Sequence, residues 1–224
     1  MNILRASVFR KIARTEAILF VVMLPFPVAA TVVRSRFSLF SVFLLPGAAL
    51  ATTLRMLLMI TLANQLAEAA AASQHFYHAK NWCLMQSVTE AIALMLSIIM
   101  TVLNNTEGEA SRANLLLTSL YPVYLSILQL FDYLAKRHLL RGFGEVWQLC
   151  GGDAAQNRQF RQTHILLVIS CILFTLLIAV ISLKPAAQPA RWILTGTAIL
   201  VLLVQLRIAW HAHKTALLLT ELSE

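Results

Sequence analysis

The stretch ILLVISCILFTLLIAVISL, residues 165–183, decides the class of this protein. It is 19 residues long and contains no charge. A helix needs about 20 such residues to cross the hydrocarbon core of a bilayer, and a polar backbone can lie there only as a helix or a closed barrel. The run is flanked by His164 on one side and Lys184 on the other. It therefore reads as a membrane-spanning helix with polar ends.

Working outward, five more apolar runs are bounded by charged or polar residues. The expected fold is an all-α integral membrane protein, one polytopic domain over residues 1–224. It has six transmembrane helices at 17–33, 37–62, 83–103, 115–135, 165–183 and 192–210, arranged as three consecutive helical hairpins with amphipathic cytoplasmic extensions. Composition agrees. The chain is 59% hydrophobic and only 12% charged, about half the charged share of a soluble domain, which excludes a disordered chain and an ordinary soluble enzyme. Mean hydropathy is +0.74. Short polar connections at 34–36, 104–114 and 184–191 read as hairpin loops. The longer stretches 56–82 and 136–164 read as helices that continue beyond the bilayer.

Lysine and arginine counting sets the orientation. With the N-terminus inside, 13 of the 18 basic residues fall on the cytoplasmic side and 5 on the other. Both termini are then cytoplasmic, in a bacterial-type inner (plasma) membrane. The net charge of +8 belongs to this asymmetry and to contact with anionic membrane lipid, and no nucleic-acid partner follows from it. An alternative treats residues 1–30 as a cleaved signal, with a basic start, an apolar stretch at 17–24 and Pro25-Phe-Pro-Val-Ala-Ala30 before a cut. The helix reading keeps the hairpin partner of the second span. Three cysteines, Cys83, Cys150 and Cys171, are an odd number and no disulfide framework.

The second, fourth and sixth spans align at an offset of 76 residues, which places Arg55, Phe131 and Arg207 at one position and Gln129 over Gln205. Four charges lie in or at the edge of apolar runs: Arg55, Glu90, Asp132 and Arg207. They share one depth in the expected topology, and at that depth a charge is costly unless it is paired or snorkels to the headgroups. An acid cannot snorkel as far as an arginine, so Glu90 is the residue most in need of a partner or a function. Gln129 and Tyr133 share a helix face with Asp132.

All six histidines fall on the expected cytoplasmic side, level with Trp82, Trp147 and Trp210. His75 and His78, or His211 and His213, are the candidate metal ligands, although each pair alone is a weak signal and an interfacial belt is the preferred account of them. No cofactor is expected. Phe143, Val146, Trp147 and Cys150 recur at helical spacing; Gly151-Gly152 ends that helix and Asp153 caps the next. Phe143, Trp147, Leu218 and Leu222 are the candidate partner contacts. No P-loop, H-E-x-x-H or G-x-S-x-G motif occurs. Gly142-Phe-Gly144 starts like a dinucleotide loop but lacks the third glycine and a preceding strand. Pro46-Gly47 and Pro122 are candidate helix breaks.

The functional expectation is a non-enzymatic subunit or interaction partner of a larger membrane assembly, of secretion, DNA-transfer, exclusion or immunity type. Another membrane protein, or further copies of this chain, is the expected partner. The alternative is an oligomeric channel or small-solute transporter with Glu90 and Asp132 along its path.

Overall fold

Six long helices carry the described chain. A computed structural model describes residues 6–23, 40–104, 110–183 and 188–222, with side chains described for 6–23, 49–96, 123–124, 126–178 and 196–222. The helices are α1 (Ala6–Met23), α2 (Phe40–Ala69), α3 (Gln74–Asn104), α4 (Ala110–Leu149), α5 (Ala154–Leu183) and α6 (Gln188–Glu221). Each packs on the next, α6 closes on α1, and α4 also touches α6. The result is a closed ring of helices.

Local chemistry explains the helix ends. Ser73 caps α3, its Oγ accepting the His75 backbone N–H at 3.1 Å. Gly151, at φ 72°, ends α4. The Gly152 N–H reaches back to the Trp147 carbonyl at 2.7 Å and the Gly151 N–H to Gln148 at 3.2 Å, the paired closure that a left-handed glycine permits. Asp153 then caps α5, accepting the Ala155 N–H at 3.1 Å. Both α2 and α4 run unbroken past Pro46-Gly47 and Pro122.

One end of the ring gathers the two short turns, the start of α1 and the end of α6. Arg10 donates to Thr220 there, Lys11 lies 3.6 Å from Glu68, and Ser73 donates to Glu145. The stretches 56–82 and 136–164 are helical apart from the two turns, as expected. They continue the same helices and share a core. At its centre Phe9, Phe76 and Phe143 meet edge-on or tilted, with centroids 5.6–6.2 Å apart. Gly142 makes room for this contact, because a Cβ there would sit 2.7 Å from the Phe76 ring. Leu66, Val146, Ile208, Ala212 and Ala216 fill the space around it.

The other end reverses the pattern. Val21, Leu50, Met95, Val123, Ile172, Leu176 and Ile199 are exposed, the signature of an outer face that meets hydrocarbon. Among the described residues three helices are long and apolar enough to cross a membrane: Ala49–Ala69, Ala154–Ile178 and Gly196–Glu221. The protein is a multi-pass membrane protein, but this corrects the expectation of six transmembrane helices. The described segments of the other three are too polar to qualify. Arg10, Lys11, Arg14 and Glu16 fall within the 18 residues of α1. The described part of α3 carries His75, His78, Lys80, Gln86 and Glu90, and that of α4 carries Asp132, Lys136, Arg137, Arg141 and Glu145. The remaining portions of the spans expected at 17–33, 83–103 and 115–135 lie outside the described residues or side chains. So do the loop arginines Arg34 and Arg36.

Candidate functional site

A buried polar layer crosses the ring between its aromatic core and its aliphatic end. Glu90 on α3 is 2% exposed. Its Oε1 lies 3.1 Å from the Arg55 Nε of α2 and accepts a hydrogen bond from Gln86 Nε2 at 3.3 Å. One turn of helix separates Gln86 from Glu90, so both reach the same point. Asp132 on α4 is held instead by Lys136, one turn further along, at 2.7 Å. Glu16 of α1 accepts a hydrogen bond from Gln205 of α6 and faces Asp132 and Lys136 electrostatically. Acids from three helices are thus each provided with a donor, and two of the three contacts tie neighbouring helices together. Glu90 Oε2, Gln86 Oε1 and Gln205 Oε1 remain buried without a hydrogen-bond partner.

Of the four charges singled out in the sequence, the structure brings Arg55 and Glu90 together. Asp132 pairs within its own helix, and Arg207 is exposed on α6, facing away from them. Lys136 and Glu16 were missed. Neither stands out in the sequence as a site residue, yet both are buried. The spacing of Lys136 four residues after Asp132 was the available signal. The aligned positions 55, 131 and 207 have unlike surroundings: an ion pair, a ring stacked on Trp82 at 5.6 Å, and an exposed arginine.

Five of the six histidines fall into three settings. His75 Nδ1 lies 3.2 Å from His138 Nδ1, and His75 Nε2 lies 3.2 Å from Glu145. His78 packs on His138 at 5.2 Å between centroids. His138 is held down to about 4, first by burial and then by His75, His78, Arg141 and Arg137. His211 is buried in a network joining three helices. Its Nε2 lies 2.9 Å from Thr163 Oγ1 and its Nδ1 lies 3.1 Å from Gln156 Nε2. Thr163 spends its hydrogen on the Gln159 carbonyl, so His211 donates through Nε2 and accepts at Nδ1. Trp147 Nε1 donates to Thr215, which donates to the His211 carbonyl. His213 is exposed beside Trp210, 6.2 Å between centroids.

No group of three or more His, Cys, Asp or Glu side chains among the described residues is arranged to hold a metal ion. His211 and His213, two apart on a helix, point to different surroundings, one buried and one exposed. The candidate contact residues also divide. Phe143 is fully buried and Trp147 half-buried, so this helix face is core; Leu218 is half-buried and Leu222 exposed. No family model, curated protein or solved structure matches this chain.

Proposed function

We propose that the protein is a non-enzymatic membrane subunit, a helical scaffold that joins a larger assembly through its turn-bearing end. The observation that carries this reading is the disposition of the buried charges. A path for ions or solutes needs Glu90 and Asp132 available to the cargo. Here Glu90 is engaged by Arg55 and Gln86, and Asp132 by Lys136. The Arg55–Glu90 pair joins α2 to α3, a role in which buried ionic groups confer specificity of packing, while Asp132 is neutralised within α4.

The turn-bearing end supports a cytoplasmic orientation. Arg10, Lys11, Arg14, Arg141, Arg158 and Arg161 are exposed there, and an excess of basic residues marks the cytoplasmic side of a membrane. Among these charges Tyr77, Leu149 and Leu222 are exposed apolar groups, with Leu149 at 70%. Apolar residues beside charged ones at a water-facing end fit a protein partner better than lipid.

Native mass spectrometry of the full chain, extracted mildly from its own host membrane, tests the proposal. A distinct protein at fixed stoichiometry is expected, released by Leu149→Glu or Leu222→Glu while the helical content is unchanged. A homo-oligomer alone, conducting ions in vesicles with a flux that Glu90→Gln alters, would overturn the subunit reading in favour of a channel.

A further inference from the structure

An open groove of about 710 Å³ lies between α1 and α6, within the range of ligand sites. Arg10, Arg14, Arg207 and His213 line it together with Trp210 and Leu206, and no acidic residue does. Arg10 donates to the Thr220 hydroxyl, a neutral partner. Neither Arg14 nor Arg207 takes part in an ion pair among the described residues. The groove thus joins a mostly apolar surface to basic groups that the protein itself does not neutralise.

Its two walls have the same polarity along their length. On α1 the exposed stripe runs Arg10, Arg14, Ala17, Val21, and on α6, read in the opposite chain direction, His213, Trp210, Leu206, Leu203, Ile199. These spacings of three and four keep each stripe on one helix face. Both begin basic at the turn-bearing end and become aliphatic toward the hydrocarbon-facing end. Trp210 sits at the change, 54% exposed, as aromatic residues do at a membrane interface.

We propose that this groove binds one acidic phospholipid, its phosphate held by Arg10, Arg14 and Arg207 and an acyl chain laid along Leu206, Leu203 and Val21. Free phosphate shares the headgroup chemistry, but nothing about a free phosphate accounts for the aliphatic stripes that continue the groove. The inference rests on the membrane character of the chain and is independent of the subunit reading.

The test uses the full chain in phosphatidylcholine vesicles containing phosphatidylglycerol with brominated acyl chains or, at equal mole fraction, brominated phosphatidylcholine. Bromine quenches a tryptophan in contact with it, and the Trp210 contribution is isolated by comparison with Trp210→Phe. Brominated phosphatidylglycerol is expected to quench Trp210 preferentially. Arg14→Gln and Arg207→Gln should each weaken that preference about fivefold, the effect of one basic residue at an anionic surface, while Arg14→Lys retains most of it. Arg161→Gln, an exposed charge on another helix, should leave it intact. Equal quenching by the two lipids would overturn the proposal, as would an equal loss from Arg161→Gln. Relief of quenching by inorganic phosphate would assign the site to free phosphate instead. A co-purifying protein partner, present or absent, changes none of these outcomes.

Discussion

The two ends of the helical ring obey opposite rules. At the turn-bearing end Phe9, Phe76 and Phe143 are inside, and Arg10, Lys11, Arg158 and Arg161 are outside. A few turns along, Glu16, Gln86, Glu90 and Gln205 are inside, and Val21, Leu50, Met95 and Ile172 are outside. The same six helices serve both, so helix propensity is not what differs. A change of solvent from water to hydrocarbon produces this reversal. Water rewards burial of apolar area, whereas hydrocarbon offers no such gain, and packing and internal polar contacts then hold the helices. The polar layer marks the level at which one regime gives way to the other.

Breaking this comparison requires changes at each end. Phe143→Ala should cost about 3–5 kcal/mol, as large-to-small changes at fully buried aromatics do, and lower the midpoint of thermal unfolding in detergent micelles. Ile172→Ala, at a face 54% exposed, should cost about 1 kcal/mol or less, since the lost contacts are with lipid or detergent. Equal costs at the two positions would remove the distinction between the ends.

The layer between them sharpens it. Glu90→Ala leaves Arg55 charged and unpaired. Arg55 is 23% exposed, so the cost should be about 2–3 kcal/mol, below that of a fully buried pair. The double replacement Arg55→Met with Glu90→Met should be less destabilising than Glu90→Ala in the same unfolding assay, because no charge is then stranded. A double replacement that is the sum of its parts would mean that the pair is not a clamp.

The smallest effect is a pH dependence at the water-facing end. His138 is held down to about 4 from an ordinary 6.5, by burial first and by His75, His78, Arg141 and Arg137 next. A histidine depressed in the folded state binds its proton more readily when unfolded. Its contribution is therefore complete above about 6.5 and is lost as the pH falls toward 4. Unfolding midpoints should drop over that window, and His138→Gln should flatten the slope there. An unchanged slope would place the titration elsewhere.

The sequence by itself determined the helical class and the membrane character, because a continuous uncharged run such as 165–183 is too long and too uniformly apolar for a barrel strand and spans hydrocarbon only as a helix. It also determined the end of α4 at Gly151-Gly152 and the cap at Asp153, since both are local: a left-handed residue and a side chain that reaches its own backbone. That Glu90 needs a partner was equally legible, from the cost of a bare charge among apolar residues. Which partner it takes was not. Arg55 lies 35 residues away in the chain, and Asp132, which looked equivalent, is satisfied by Lys136 within its own helix. The number of spans was misjudged for a related reason. The apolar runs were read without the polar residues that share their helices, and in α1, α3 and α4 these make the described segments too polar to qualify as spans. Only tertiary packing decided that Phe143 and Trp147 are core, that His138 joins His75 and His78, and that Glu16 meets Gln205. These contacts join residues far apart in sequence, and their geometry exists only once the ring has closed.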